Sequence, residues 1–151
     1  GTEERLEVCL LEVQARLARM ASRTQKQPRA NAGRKSATVM ESTNLSRAEA
    51  MACYIAQQGT HRLSIGDVAD HAGLHPNYAM VLFQQTFGTT ILKYIVEYRL
   101  SNAQRLLVTT DDLVENVAYQ SGFGSLSSFY AAFRRTFGCT PRQYRQSHRT
   151  T

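Results

Sequence analysis

The sequence predicts an all-α fold: two helix-turn-helix subdomains joined by a long linker helix, preceded by an amphipathic N-terminal helix. Three observations predict it. Apolar residues recur at helical spacing, and nothing alternates with period two for long enough to form a strand. A short helix, a glycine turn and a longer helix are spelled twice within residues 64–141. Between the copies runs an uninterrupted helical pattern of about eighteen residues.

Size and composition bound the reading. At 151 residues the chain holds one ordinary domain plus an appendage, and its 42% apolar content suffices for a core. No run of about 18 apolar residues exists, so no membrane partner is expected. Gly1 to Arg5 carry two acids ahead of any apolar run, unlike a signal peptide. Cys9, Cys53 and Cys139 stand apart without a Cys-x-x-Cys pair. That pattern reads as reduced thiols in a cytoplasmic protein, not as a disulfide frame or zinc site. His71 follows Asp67 by four residues and could share a metal with it, but a solvated helix face explains the pair equally well. No cofactor is expected.

The net charge of +6 is unevenly spread. Residues 21–44 carry Arg23, Lys26, Arg29, Arg34 and Lys35 against Glu41, for +4. Residues 116–151 carry five arginines and no acid. A polyanion would meet these two stretches first.

Leu6, Leu10, Val13, Leu17 and Met20 are spaced 4, 3, 4, 3, so residues 3–21 form an amphipathic helix. Its seam serves either a homodimer or a domain outside this sequence. Residues 22–44, polar and basic with Pro28 and Gly33, read as a flexible linker. The double helix-turn-helix domain is then residues 45–148. Ser46-Arg47-Ala48-Glu49 is a capping box opening a helix with Ala48, Met51, Ala52 and Ile55 on one side. Ser64 caps a short helix burying Ile65, Val68 and Ala69. Gly73 breaks it, and Pro76 starts a helix to about Phe87. Thr90 begins the long helix through Ile91, Ile95, Leu100, Ala103, Leu106 and Leu107. Asp111 caps the next short helix, with Val114, Val117 and Ala118. Gly122 breaks that one. A helix with Phe129, Tyr130, Phe133 and Phe137 follows, and Thr140-Pro141 starts a last short one.

Val68-Ala69 and Gly73-Leu74 match Val117-Ala118 and Gly122-Phe123 at an offset of 49; Phe83 and Phe87-Gly88 match Phe133 and Phe137-Gly138 at 50. The alanine lets the second helix of each pair cross closely, the glycine permits a left-handed turn, and the aromatic pair pins the second helix. Its other face is free to enter a major groove of double-stranded DNA. Eighteen helical residues span about 27 Å, which would let the two recognition helices lie about one B-DNA turn apart.

These residues resemble the AraC/XylS family of transcription regulators. The resemblance covers about residues 46–146 and includes Tyr94-Ile95, Arg99-Leu100, Ala103, Leu106-Leu107, Phe129, Thr140-Pro141 and Tyr144-Arg145. Asn77-Tyr78-Ala79-Met80 with Phe83-Gln84 is most similar to the melibiose-operon branch. The resemblance implies a bacterial DNA-binding domain of seven helices, with RNA polymerase as a further partner. It also implies an N-terminal small-molecule sensor domain, so the chain reads as a fragment beginning in the interdomain helix. Four positions depart from the family pattern. Met80-Val81 stand where Ser-Arg or Gln-Arg is frequent, and Ala131 where an arginine is, which removes Arg-to-guanine contacts. His75 replaces a usual capping serine, a loss of about 1 kcal/mol for that helix.

Helical phase counted from Phe83 and Phe87 turns Asn77, Met80, Val81 and Gln84 outward. Asn pairs with adenine through two hydrogen bonds, Met and Val cover thymine methyls, and Gln84 takes a phosphate or a base. Met80 and Val81 could instead be core, but Ala79, Leu82 and Phe83 already supply an inner face. In the second unit Ser127, Tyr130, Ala131 and Arg134 face outward; Tyr130 is equally readable as a packed ring. Arg134, Arg135, Arg142 and Arg145 suit phosphates, and His75 and Lys93 complete the expected contact set. Residues 61–88 carry one arginine and two aspartates, so most nonspecific grip falls to the second unit. No convergent set of acid, base and nucleophile suggests an enzyme. The competing reading is a helical protein-interaction module without DNA binding.

Overall fold

The computed structural model describes residues 34–149. Among them are seven helices: α1 (Arg34–Gln58), α2 (Ile65–His71), α3 (Pro76–Phe87), α4 (Ile91–Thr109), α5 (Val114–Gln120), α6 (Leu126–Phe137) and α7 (Pro141–His148). No described residue is in a strand. The amphipathic helix expected over residues 3–21 and most of the linker lie outside the described residues. The described residues form two compact units, 34–57 with Leu63–Ile91, and Gln58–Arg62 with 92–149.

In the first unit α1 starts at Arg34, well before the expected Ser46. No glycine or proline interrupts residues 34–58, and the hydroxyls that would compete with the backbone bond back within the helix. Thr43 Oγ1 donates to the Val39 carbonyl (2.8 Å) and Ser46 Oγ to that of Ser42 (2.9 Å). Ser46 is therefore a helix-interior residue, and residues 34–44 are helix where a flexible linker was expected. Ala48, Met51, Ala52 and Ile55 are fully buried, as are Val68 and Ala69 of α2 and Ala79 and Phe83 of α3, with Leu82 and Phe87 nearly so.

Ser64 caps α2 as expected: Asp67 N donates to its Oγ (3.1 Å), and Ser64 N donates to Asp67 Oδ2 (2.8 Å). The Ser64 hydroxyl, which donates to Asp67 Oδ2 (2.7 Å), and then the Ser64 amide hold the Asp67 carboxyl below its ordinary pKa. His71 stacks on Tyr54 at 4.2 Å. Among the described residues, no group of three or more His, Cys, Asp or Glu residues is placed to hold a metal ion. Gly73 makes the turn at φ +68°, a conformation that suits glycine.

The second unit packs Leu100, Ala103, Leu106 and Leu107 of α4 against Val117, Ala118, Phe123, Phe129, Phe133 and Tyr144. Its rings form a chain, Phe129–Phe133 at 5.6 Å, Phe133–Phe137 at 4.5 Å and Phe133–Tyr144 at 5.6 Å, distances suited to edge and offset contact. Thr140 and Gln143 close a capping box on α7. Asp111 does not cap α5, contrary to expectation. The helix starts later, after Leu113, which offers no side-chain cap, and Asp111 instead pairs with Arg149 at 2.5 Å.

Two arginines at the repeat offset of 50 hold the segments that lead into each short helix. Arg99 Nε donates to the Gly59 carbonyl (2.7 Å) and Nη2 to that of His61 (3.0 Å). Arg149 does the same to Val108 (3.5 Å) and Thr110. Burial lowers the Arg99 pKa from its ordinary value. The repeat thus reaches beyond the apolar positions into a polar clasp.

Candidate nucleic-acid interface

Each unit presents the second helix of its helix-turn-helix pair. α3 is entered through His75 and Pro76. The His75 backbone is extended (φ −66°, ψ 141°), and its Nδ1 accepts from Asn77 N at 3.3 Å. A histidine therefore supplies the cap that the departure from serine seemed to remove. The ring reaches the second amide because it hangs from the same extended backbone a serine would use. α3 ends in left-handed Gly88 (φ +70°).

Ala79, Leu82, Phe83 and Phe87 form the buried stripe of α3, leaving Asn77, Met80, Val81 and Gln84 exposed. Met80 is 37% and Val81 52% exposed, so the pair is not core. Tyr78 and Gln85 share this exposed arc and were not singled out from the sequence. Phase alone identifies both, because each lies about 100° or less from Val81 around the helix. Tyr78 Oη lies 3.3 Å from Asn44 Oδ1, which ties the first turn of α3 to α1. The whole of α3 carries no charged side chain.

α6 is capped by Ser125, whose Oγ accepts from Ser128 N at 3.2 Å. Phe129 and Phe133 are buried, and Ser127, Ala131, Arg134 and Arg135 are exposed. Tyr130 is half-buried, edge-on to Phe129 at 6.0 Å and packed against the core. The ring packs on the core while part of its surface stays accessible; it stands one position from Phe129 and three from Phe133. Arg142 is exposed in the first turn of α7. Arg145 is not: its Nε donates to the Leu107 carbonyl (3.0 Å) and its Nη2 to that of Asp112 (2.6 Å). The sequence signal for phosphate binding, an arginine in an acid-free tail, does not separate such a clamp from a free cation. Lys93 is exposed near the start of α4.

The helix-turn-helix domain family matches residues 68–147, a little over half of the chain, and spans both units. The chain belongs to the AraC-type helix-turn-helix family. It is 39% identical over 93 residues to the melibiose operon regulatory protein of Escherichia coli K12, covering 62% of this chain and 31% of that protein. The chain thus spans under a third of that relative. Among solved structures it is similar to the DNA-binding domain of AdpA in complex with a target DNA (TM-score 0.66, 26% identity, 68% of this chain and 93% of that one). An AraC-type transcriptional regulator from Chromobacterium violaceum is similarly placed (TM-score 0.65, 27% identity, 71% and 96%). AraC-type domains are DNA-binding parts of transcription regulators and not enzymes, and no described helix of this one is long and apolar enough to cross a membrane.

Proposed function

We propose that this AraC-type domain is the sequence-reading part of a bacterial transcription regulator, with α3 and α6 entering two successive major grooves of one duplex. The observation that carries the reading is the pair of exposed second-helix faces. One is made of Asn77, Met80, Val81 and Gln84; the other of Ser127, Ala131, Arg134 and Arg135. Asn77 reads an adenine, Met80 and Val81 cover a thymine methyl, and Gln84 takes a base or phosphate. Arg134, Arg135 and Arg142 hold phosphates, helped by Lys93 and by His75 at the mouth of α3. Arg145 and Tyr130 support the second unit from within.

The reading includes an N-terminal small-molecule sensor domain, as the family resemblance implies. RNA polymerase is the further partner, a homodimer forms through residues 3–21, and the protein acts in the cytoplasm. Selection of sites from random DNA tests the main reading. A recovered motif with two blocks about 10 base pairs apart supports two successive grooves. Recovery of no motif, with DNA affinity insensitive to salt, would return the chain to the protein-interaction alternative. Sedimentation at high micromolar concentration tests the homodimer, since a monomer with residues 3–21 intact excludes it.

A further inference from the structure

We propose that Arg47 on α1, outside both helix-turn-helix pairs, grips a DNA phosphate flanking the groove that α3 enters. The inference rests on the duplex-binding reading and adds a third helix to the contact surface.

The first unit needs a cation that its recognition helix does not supply. α3 has no charged residue. Across residues 39–57 and 63–91 the acids are Glu41, Glu49, Asp67 and Asp70, and Arg47 is the one lysine or arginine; Arg34 and Lys35 stand earlier, at the start of α1. A stretch with that balance draws a duplex backbone only through its cation.

Two contacts locate Arg47 on that side. Asn44, three residues earlier and so a neighbour on the helix surface, meets the Tyr78 hydroxyl in the first turn of α3 at 3.3 Å. That turn is the end of a recognition helix that reaches base edges. Tyr54, seven residues later, lies within about 20° of Arg47 around α1. Its ring stacks on His71, in the last turn of α2, at 4.2 Å and 13° between planes. Arg47 therefore sits on the side of α1 turned to α2 and α3, between the contact to the end of one and the contact to the start of the other. The first helix of a helix-turn-helix crosses the DNA backbone while the second enters the groove; here that first helix is α2, and the Tyr54–His71 stack sets this side of α1 beside its last turn.

The side chain suits the task. Arg47 is exposed, and makes no hydrogen bond or ion pair among the described residues. A guanidinium offers donors in a fork that fits a phosphate on two oxygens. Buried Ala48 and Met51 fix the phase of the helix beside it.

The test measures binding of the whole 151-residue chain to a random-sequence duplex across salt concentrations. Arg47→Ala is expected to lower the slope of log affinity against log salt by about one unit, and Arg47→Lys to restore it. Asn44→Ala and Tyr78→Phe keep every charge, and are expected to weaken binding without flattening the slope as far as Arg47→Ala does. On a selected site, neutral methylphosphonate linkages are walked along each strand. One linkage flanking the half read by α3 should weaken the wild type and leave Arg47→Ala unaffected. Equal slopes for wild type and Arg47→Ala, with a lowered slope for Arg134→Ala, overturn the inference and leave the duplex reading standing. A wild-type slope of zero overturns both. A protected linkage in the half read by α6 also overturns the placement.

Discussion

Gly122 and Gly138 are both left-handed glycines of the second unit, yet alanine should cost very different amounts at each. Gly122 has φ +99° and Gly138 φ +72°, so each alanine carries the penalty of an L side chain at positive φ, roughly 1–2 kcal/mol. At Gly138 a Cβ meets nothing within 4 Å. At Gly122 it would lie 2.9 Å from the Gly59 carbonyl oxygen and 2.9 Å from Thr60 Cα. These are backbone atoms, and the Gly59 carbonyl is also held by Arg99 at 2.7 Å, so the obstacle cannot swing aside as a side chain would. Overpacking of this kind adds about 1–3 kcal/mol. The expected losses are therefore about 1–2 kcal/mol for Gly138→Ala and about 2–5 kcal/mol for Gly122→Ala. Urea unfolding followed by far-ultraviolet circular dichroism reads both. Equal losses at the two positions would refute the argument that the segment around Gly59 is packed on this turn.

Three further outcomes test the interface. Arg134→Ala should weaken specific and random DNA alike and lower the salt slope by about one unit; a loss confined to one base position would make it a base reader. Asn77→Ala should cost about 1–3 kcal/mol and relax one position, an adenine, whereas an equal loss on all sequences would place Asn77 on the backbone. Replacing the thymine beneath Met80 and Val81 by uracil should weaken binding by about 0.8 kcal/mol, one buried methyl, and do little in the Met80→Ala, Val81→Ala double variant. If every thymine in the site tolerates uracil, the pair reads nothing.

The helical periods and the repeat were legible because burial imposes them on the sequence. Val68-Ala69 and Val117-Ala118 are fully buried at matching places, and Gly73 and Gly122 are both left-handed. Helix starts were legible where a side-chain oxygen caps, as at Ser64 and Thr140. They were misread at Ser46 and Asp111. Ser46 has the cap's chemistry but sits in a helix already under way, its hydroxyl satisfied by the Ser42 carbonyl. Asp111 has the cap's chemistry but a long-range partner in Arg149. Arg99, Arg145 and Arg149 show the same limit from the basic side. Each binds carbonyls that lie thirty or more residues away in the chain, and a charge count has no access to such distances. The outward faces of α3 and α6 were largely readable by phase; Tyr130, at the border of the core, is half-buried.

The two units share one framework and differ in what they show to a duplex. The offset of 50 equates Asn77 with Ser127, Val81 with Ala131, Gln84 with Arg134 and Gln85 with Arg135. At every pair the first unit offers the bulkier apolar or amide group, and the second offers a smaller group or a charge. Phosphates are the same in all sequences, so two arginines on α6 stabilise every register almost equally. An apolar pair on α3 stabilises only a register that brings a methyl beneath it, because a base edge with an unmet donor or acceptor is desolvated at a cost. On the proposed reading, the second unit therefore supplies residence on DNA and the first supplies discrimination. The unit with less charge then governs where the protein stops, an inversion that composition alone does not suggest.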